Sequence, residues 1–403
     1  MREILAKYFK GDGVIWGVVI LLSLVSLLAV YSSTGTLAYQ SQDASAASYI
    51  LKHFSLLVLS LVIIFVVHNI PFKLYSRLSQ IFLLIALILL VLTISSGTTY
   101  NQARRWLTVP GIGLTLQTSD FAKLALVMYV ARILSVKQYS IRHSREVLGY
   151  LFIPILLVCG MILPSNFSTA AILFTTVMIL MFIGRVRIKY LFSLVLVGIF
   201  LLAVLVGGIM LAGHQARVTT WENRVEGFVG GEEQDNYQVE QSKIAIATGG
   251  LLGKGPGNST QRDFLPHAYS DFIYALIVEE YGFLGGLMIL FLYLFLLYRA
   301  GVIVKKSTRT FGAFLSIGLS LLLVLQAIIN MGVTVRLFPV TGQTLPFVSM
   351  GGSSLVFTSI AIGIILNVSR SVDKDKALSD KEETEDAETE DEYENEKEGQ
   401  EDE

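Results

Sequence analysis

The sequence predicts an all-α polytopic membrane protein of about ten transmembrane helices, with one large extracytoplasmic loop between helices 7 and 8. Three observations predict it. Mean hydropathy is +0.62, and the chain is 53% hydrophobic but only 16% charged, against about 25% charged in a soluble domain. Ten apolar runs are long enough to cross roughly 30 Å of hydrocarbon. A single long break, residues 213–270, separates the seventh run from the eighth. No nucleic-acid partner is expected of such a chain.

Residues 1–13 carry Arg2, Lys7 and Lys10 ahead of a first apolar run, 14–31. That run is longer than a signal-peptide core and lacks a small-residue cleavage pattern, so it reads as a retained spanning helix. The next runs are 50–68, 79–96, 121–135, 147–163, 169–184 and 190–212, and after the long loop come 271–298, 311–331 and 353–368. The fourth and sixth are short for a crossing. Cys159, the only cysteine, lies in the fifth run and excludes an intrachain disulfide. No internal repeat of the inverted-transporter kind is present.

Charge orients the chain. The tail, residues 373–403, holds 17 of the 32 acids and 4 of the 31 basic residues, leaving 27 basic against 15 acidic groups in the rest. That excess suits an anionic lipid surface or an anionic lipid substrate. With an even number of spans both termini share a side, and the loops on that side carry most of the Lys and Arg, among them Lys73, Arg77, Arg185, Arg187, Lys189, Lys305, Lys306 and Arg309. Both termini are therefore expected in the cytoplasm and the 213–270 loop outside. That loop keeps Trp221, Phe228, Ile244, Leu251 and Phe264, enough apolar surface to fold part of it onto the membrane. The segment 371–403 has almost none after Leu378 and is expected to be an acidic, disordered cytoplasmic extension of the 14–370 membrane domain.

The densest chemistry lies in residues 248–286. Its glycine run does not match a phosphate-cradling loop, because Thr248 stands where the first glycine is needed and Gly255 follows Lys254. A flexible turn into a helix fits Gly253, Gly255, Gly257 and Asn258 better. Asp271 opens the eighth apolar run and fits two roles: a carboxylate at a helix N-terminus, worth about 1 kcal/mol, and a base at the rim of the bilayer that accepts a proton from a substrate hydroxyl. Ser270 precedes it as an auxiliary polar group. Glu279 and Glu280 fall two turns further, roughly 12 Å deeper along a straight helix, where buried acids need polar partners such as Gln326 or Asn330. Gly282 and Gly286, four apart, fit a close-packed helix face.

Arg104 and Arg105 open a short outer loop, and Lys123 lies just inside the fourth span, three residues after Asp120. A local ion pair accounts for Lys123, but fixed positive charge near that loop also suits a departing diphosphate. Arg217, Arg224, Lys243, Arg262 and Arg336 fall on the same side and complete the set of anion-binding candidates.

Taken together, these stretches resemble the SEDS family (shape, elongation, division and sporulation). The likeness runs from the first helix to Arg370 and rests on Ala103-Arg104-Arg105-Trp106, Gln117 through Lys123, Gly249 through Gly255, Gly257-Asn258-Ser259, Leu265-Pro266 with Ser270-Asp271-Phe272-Ile273, Glu279-Glu280-Tyr281-Gly282, and Leu345 through Ser354. Each is weak alone, and their order and spacing are specific. The resemblance implies a peptidoglycan glycosyltransferase of the bacterial cytoplasmic (inner) membrane that polymerises lipid II, with Asp271 at the family's essential aspartate. It implies a class B penicillin-binding protein and other divisome membrane proteins as partners, and the charge of the diphosphate calls for a divalent cation, Mg or Mn, beside it. Leu366-Asn367-Val368-Ser369-Arg370 is more similar to the division branch than to the elongation branch. The chain departs from the family at His267, Tyr269 and Ser270, at Asp120 where glutamate is usual, and at Asn166 where aspartate is usual. A lipid II flippase would instead line a path through the membrane with polar groups, and a pure divisome scaffold would tolerate loss of Asp271.

Overall fold

The computed structural model describes residues 10–40, 46–100, 103–108, 115–139, 141, 146–211, 233–265 and 268–401. A helix stands at every expected crossing: α1 (Gly13–Gln40), α2 (Ala46–Asn69), α3 (Phe72–Ser96), α4 (Thr118–Val136), α5 (Glu146–Ile162), α6 (Phe167–Ile183) and α7 (Ile188–Leu211). After the long loop come α9 (Ile273–Lys306), α10 (Thr310–Thr334) and α11 (Gly352–Glu401), and α8 (Glu233–Gly249) lies within that loop. By length and composition α1, α2, α3, α7, α9, α10 and α11 can each cross a membrane, while α5 and α6 are shorter apolar helices. The remaining crossing, α4, holds Asp120, Lys123 and Arg132 and is buried almost all round. Its charges face protein rather than lipid, which is where intramembrane charges persist.

Periodicity explains how the outer helices sit. In α3 the buried residues are Tyr75, Ser79, Leu83, Ala86, Leu90 and Thr93, spaced as one face of a helix. Ile81, Leu84, Ile88 and Val91 lie exposed on the other face, as a lipid-facing surface requires. At the start of α6 Asn166 is the N-cap, its side chain accepting from the Thr169 amide at 3.2 Å, a bond worth about 1 kcal/mol.

Three features differ from the sequence expectations. The short loop after α3 forms a small antiparallel sheet, β1 (Thr98–Tyr100), β2 (Ala103–Thr108) and β3 (Thr115–Gln117), with Trp106 opposite Gln117. Strands of three to six residues are too short for alternation to reveal. The acidic tail, expected to be unstructured, continues α11 as helix to Glu401. Its Glu, Lys and Ala are strong helix formers, and neither Pro nor Gly interrupts it between Ala377 and Gly399. Arg309 at the start of α10 pairs with Asp375 at 2.8 Å and steadies the point where the tail leaves the bundle.

The third difference is in α9, which is not one straight helix. Gly282 has φ 71° and ψ −173°, a conformation closed to other residues, and splits it. The 24 residues from Phe283 to Lys306 are by themselves long enough to cross. Two contacts measure the bundle. Asp12 pairs with Arg299 at the end where α1 begins, and Ser32 bonds Glu280 at the opposite end. Along α1 those anchors are about 30 Å apart, the thickness of a bilayer's hydrocarbon. Asn330 on α10 is also about 30 Å from the helix start at Thr310, and it holds the Asp271 carbonyl. Asp271 and Glu280 therefore share one level at the far rim. The expected 12 Å difference in depth disappears because the short segment before Gly282 does not continue the axis of the long one.

Candidate active site

Asp271 ends a turn that enters α9 and is partly exposed. It is not the N-cap: that position is Phe272, which makes no side-chain capping bond. The carboxylate is set by other means. Ser270 Oγ donates to Asp271 Oδ1 at 2.7 Å. Asn330 Nδ2 donates to the Asp271 carbonyl at 2.8 Å and to the Gln343 carbonyl at 2.7 Å. A Cβ on Gly342, at φ +61°, would stand 3.5 Å from Asp271 Oδ2. Glycine there keeps the approach to that oxygen open.

The segment 341–351, between α10 and α11, forms the wall beside Asp271. Gln343 Nε2 donates to Thr169 Oγ1 at 2.8 Å, and Gln326 Nε2 donates to the Thr344 carbonyl at 3.0 Å. Ser349 Oγ accepts from the Leu345 amide at 2.8 Å and donates to the Ser270 carbonyl at 2.6 Å, while the Met350 amide donates to the Tyr269 carbonyl at 3.0 Å. Irregular backbone inside a membrane bundle survives only when its polar groups are satisfied in this way.

One helical turn below Asn330, Gln326 Oε1 accepts from Lys123 Nζ at 3.1 Å, and Lys123 also pairs with Asp120 at 2.9 Å, both side chains 7% exposed. The local ion pair expected from spacing is present. Through Gln326 and Thr344 it is tied to the wall beside Asp271. Arg105 Nε donates to the Ser165 carbonyl at 2.8 Å, one residue before the Asn166 cap of the helix that carries Thr169. Arg105, Lys123 and Asp271 thus converge on one rim, although the two basic groups are already engaged with protein.

Glu279 and Glu280 form a second cluster, and their partners are not the Gln326 and Asn330 expected from sequence. Glu279 accepts from Lys254 Nζ at 2.5 Å, from the Thr260 amide at 3.1 Å and hydroxyl at 2.9 Å, from the Gln261 amide at 3.2 Å, and from Ser259 Oγ. Glu280 accepts from Ser32 Oγ. Because Gly282 breaks the helix, its freed backbone groups are met by the glycine loop. Lys254 and Gly255 amides donate to the Glu279 and Glu280 carbonyls, and the Phe283 and Leu284 amides donate to the Gly250 and Leu251 carbonyls. A Cβ on Gly282 would lie 2.2 Å from the Leu251 oxygen. Gly282 thus packs against this loop rather than pairing with Gly286 on a helix face. The glycine run is a fitted plug for a broken helix, directly preceding the Asp271 turn.

The remaining basic candidates are dispersed. Arg262 Nη1 donates to the Gly257 carbonyl at 3.0 Å and the Ser32 carbonyl at 3.3 Å, within the glutamate cluster. Lys243 is exposed on α8, and Arg336, at φ 58°, comes just after α10. Arg217 and Arg224, and the side chain of Arg104, lie outside the described residues. Sequence reasoning gave Gln343 no part in the site and named Ser349 only within the stretch Leu345 through Ser354, since a polar residue in a loop carries no signal of what it faces.

Comparison with known proteins agrees with this architecture. Residues 12–374 match the family profile described as "Cell cycle protein", which covers FtsW, RodA and SpoVE. The chain is 34% identical over 365 residues to the stage V sporulation protein E of Bacillus subtilis, covering 88% of this chain and 95% of that one. It is 34% identical over 366 residues to a probable peptidoglycan glycosyltransferase FtsW of Coxiella burnetii, with 88% and 95% covered. Among solved structures it resembles a chain of a peptidoglycan synthase complex that coordinates polymerisation and crosslinking, at TM-score 0.68 and 26% identity, covering 90% of this chain and 98% of that one. The crystal structure of the rod-shape-determining protein RodA of Thermus thermophilus gives TM-score 0.64 and 25% identity, with 89% and 97% covered. A profile match over nearly the whole membrane domain and relatives above 30% identity together place this chain in the FtsW/RodA/SpoVE family, the SEDS proteins.

Proposed function

We propose that this chain is a peptidoglycan glycosyltransferase that polymerises lipid II on the outer face of the bacterial cytoplasmic membrane, with both termini inside and Asp271 as general base. The observation that carries the reading is a partly exposed carboxylate at the bilayer rim, its backbone clamped by Asn330 and one oxygen held by Ser270. A sugar hydroxyl gives its proton to Asp271 as its oxygen bonds the anomeric carbon of the donor, and the bond from that carbon to the polyprenyl diphosphate breaks. The fixed loop supplies orientation, a second contribution to lowering the barrier. Arg105, held by the Ser165 carbonyl, contributes positive potential to the side where the diphosphate leaves, whereas the charge of Lys123 is offset by Asp120.

A divalent cation, Mg or Mn, enters the proposal as an ion carried by the diphosphate, whose charge it would neutralise. Among the described residues no three His, Cys, Asp or Glu stand together, and Glu279 and Asp120 are already paired, so no step here passes through it. The proposal extends to division-type, septal synthesis on the likeness of residues 366–370 to that branch. It includes a class B penicillin-binding transpeptidase as partner, supported by the likeness to a synthase complex. The test is polymerisation of labelled lipid II by the purified chain with its partner. Asp271→Asn should lower the rate by about 10²-fold or more, and glycan of equal length and yield from both proteins would remove Asp271 from the chemistry.

A further inference from the structure

The wall beside Asp271 is held from one more direction. In the segment 341–351, the carbonyls of Gln343 and Thr344 are taken by α10, the Pro346 carbonyl by the hydroxyl of Tyr293 on α9, and the Val348 carbonyl by Ser26 Oγ on α1 at 2.7 Å. Ser26 is in turn 2.8 Å from His53 Nε2 on α2. Ser26 and His53 are completely buried. The serine hydroxyl has one hydrogen, and it is directed to Val348, so the histidine must present Nε2–H to the serine oxygen. His53 Nδ1, buried and without a hydrogen-bond partner among the described residues, is then the bare acceptor of a neutral ring.

Holding Val348 matters because of its two neighbours in the chain. Phe347 is at φ +65°, a conformation that a large side chain adopts only when its surroundings enforce it. Ser349 donates to the carbonyl of Ser270, and the Ser270 hydroxyl donates to the Asp271 carboxylate. A polar pair would cost stability in an apolar helix interface unless it were matched, and this one is matched only by the loop.

We propose that Ser26 and His53 are positioning residues for Asp271: they fix the Val348 carbonyl, and through Ser349 and Ser270 the place of the carboxylate. This rests on the reading of Asp271 as general base. The two residues touch neither sugar nor diphosphate. They act through the loop, so their loss should move turnover and leave substrate affinity alone.

The experiment measures kcat and KM for lipid II, together with melting curves, on the full chain with its partner. Ser26→Ala and His53→Leu are expected to lower kcat about tenfold or more while KM stays within about twofold. His53→Gln restores kcat, because the amide N–H of glutamine reaches the position of Nε2–H. A wild-type kcat in Ser26→Ala overturns the proposal, as does a His53→Gln as slow as His53→Leu, or a rate loss that merely follows the folded fraction at the assay temperature. An active Asp271→Asn would bring down the general-base reading and this one together. An inactive Asp271→Asn beside a normal Ser26→Ala brings down this one alone.

Discussion

On one turn of α4 a lysine and an aspartate neutralise each other inside the bundle, and the pair is worth examining by removing one partner and then both. Lys123→Met leaves Asp120 buried and unpaired, which should cost about 3–5 kcal/mol. Adding Asp120→Leu should return most of that stability, since an apolar pair of similar volume replaces a desolvated ionic one. Thermal unfolding in detergent reads both effects. If polymerisation stays lost in the stable double variant, Lys123 serves the diphosphate as well as the fold; if it returns, the pair is structural. Asn330 is a second single-residue case. Asn330→Ala strips the Asp271 and Gln343 carbonyls of their donor, about 1–3 kcal/mol for each group left unmatched.

Among the elements, α9 matters most, because its break at Gly282 creates the place into which residues 249–261 fit. Four backbone bonds cross between loop and helix, and Glu279 gathers the side-chain and amide donors of the loop's second half. Gly282→Ala should cost about 1–3 kcal/mol from backbone strain alone, and more through the collision with Leu251. The measurements are a melting curve and limited proteolysis, which should cut within 249–263 sooner in the variant. An unchanged cleavage pattern would show that the loop does not depend on the break. The same geometry says why Lys254 and Arg262 do not behave as free anion sites: one is spent on Glu279, the other on carbonyls of Gly257 and Ser32.

For the whole molecule, the two anchor pairs Asp12–Arg299 and Ser32–Glu280 set opposite faces about 30 Å apart. In a Cys159→Ser background, Lys10→Cys and Ser379→Cys should be protected from a membrane-impermeant maleimide in intact cells. Leu252→Cys, exposed beside the broken helix, should react. Labelling of all three from the same side would contradict the orientation proposed from the charge bias. Deletion of residues 380–403 removes a helix that extends past the bundle, and should shift stability by no more than about 0.5 kcal/mol, read from the same melting curves.

Apolar length was enough to place a helix at each of the ten expected crossings, because hydrocarbon thickness and the cost of burying charge act on every span locally. The Asp120–Lys123 pair was legible for the same reason, being three residues apart on one helix. The helix in the tail was not legible because composition reports the lack of a core but not helix propensity in the absence of one. Only the tertiary structure decided what Glu279 and Glu280 bind, why α9 is broken, that Gln343 and Ser349 stand beside the Asp271 turn, and that Ser26 holds the Val348 carbonyl. Those contacts join segments as far apart in sequence as α1 and the loop before α11, and a hydrogen bond between distant residues leaves no periodicity along the chain.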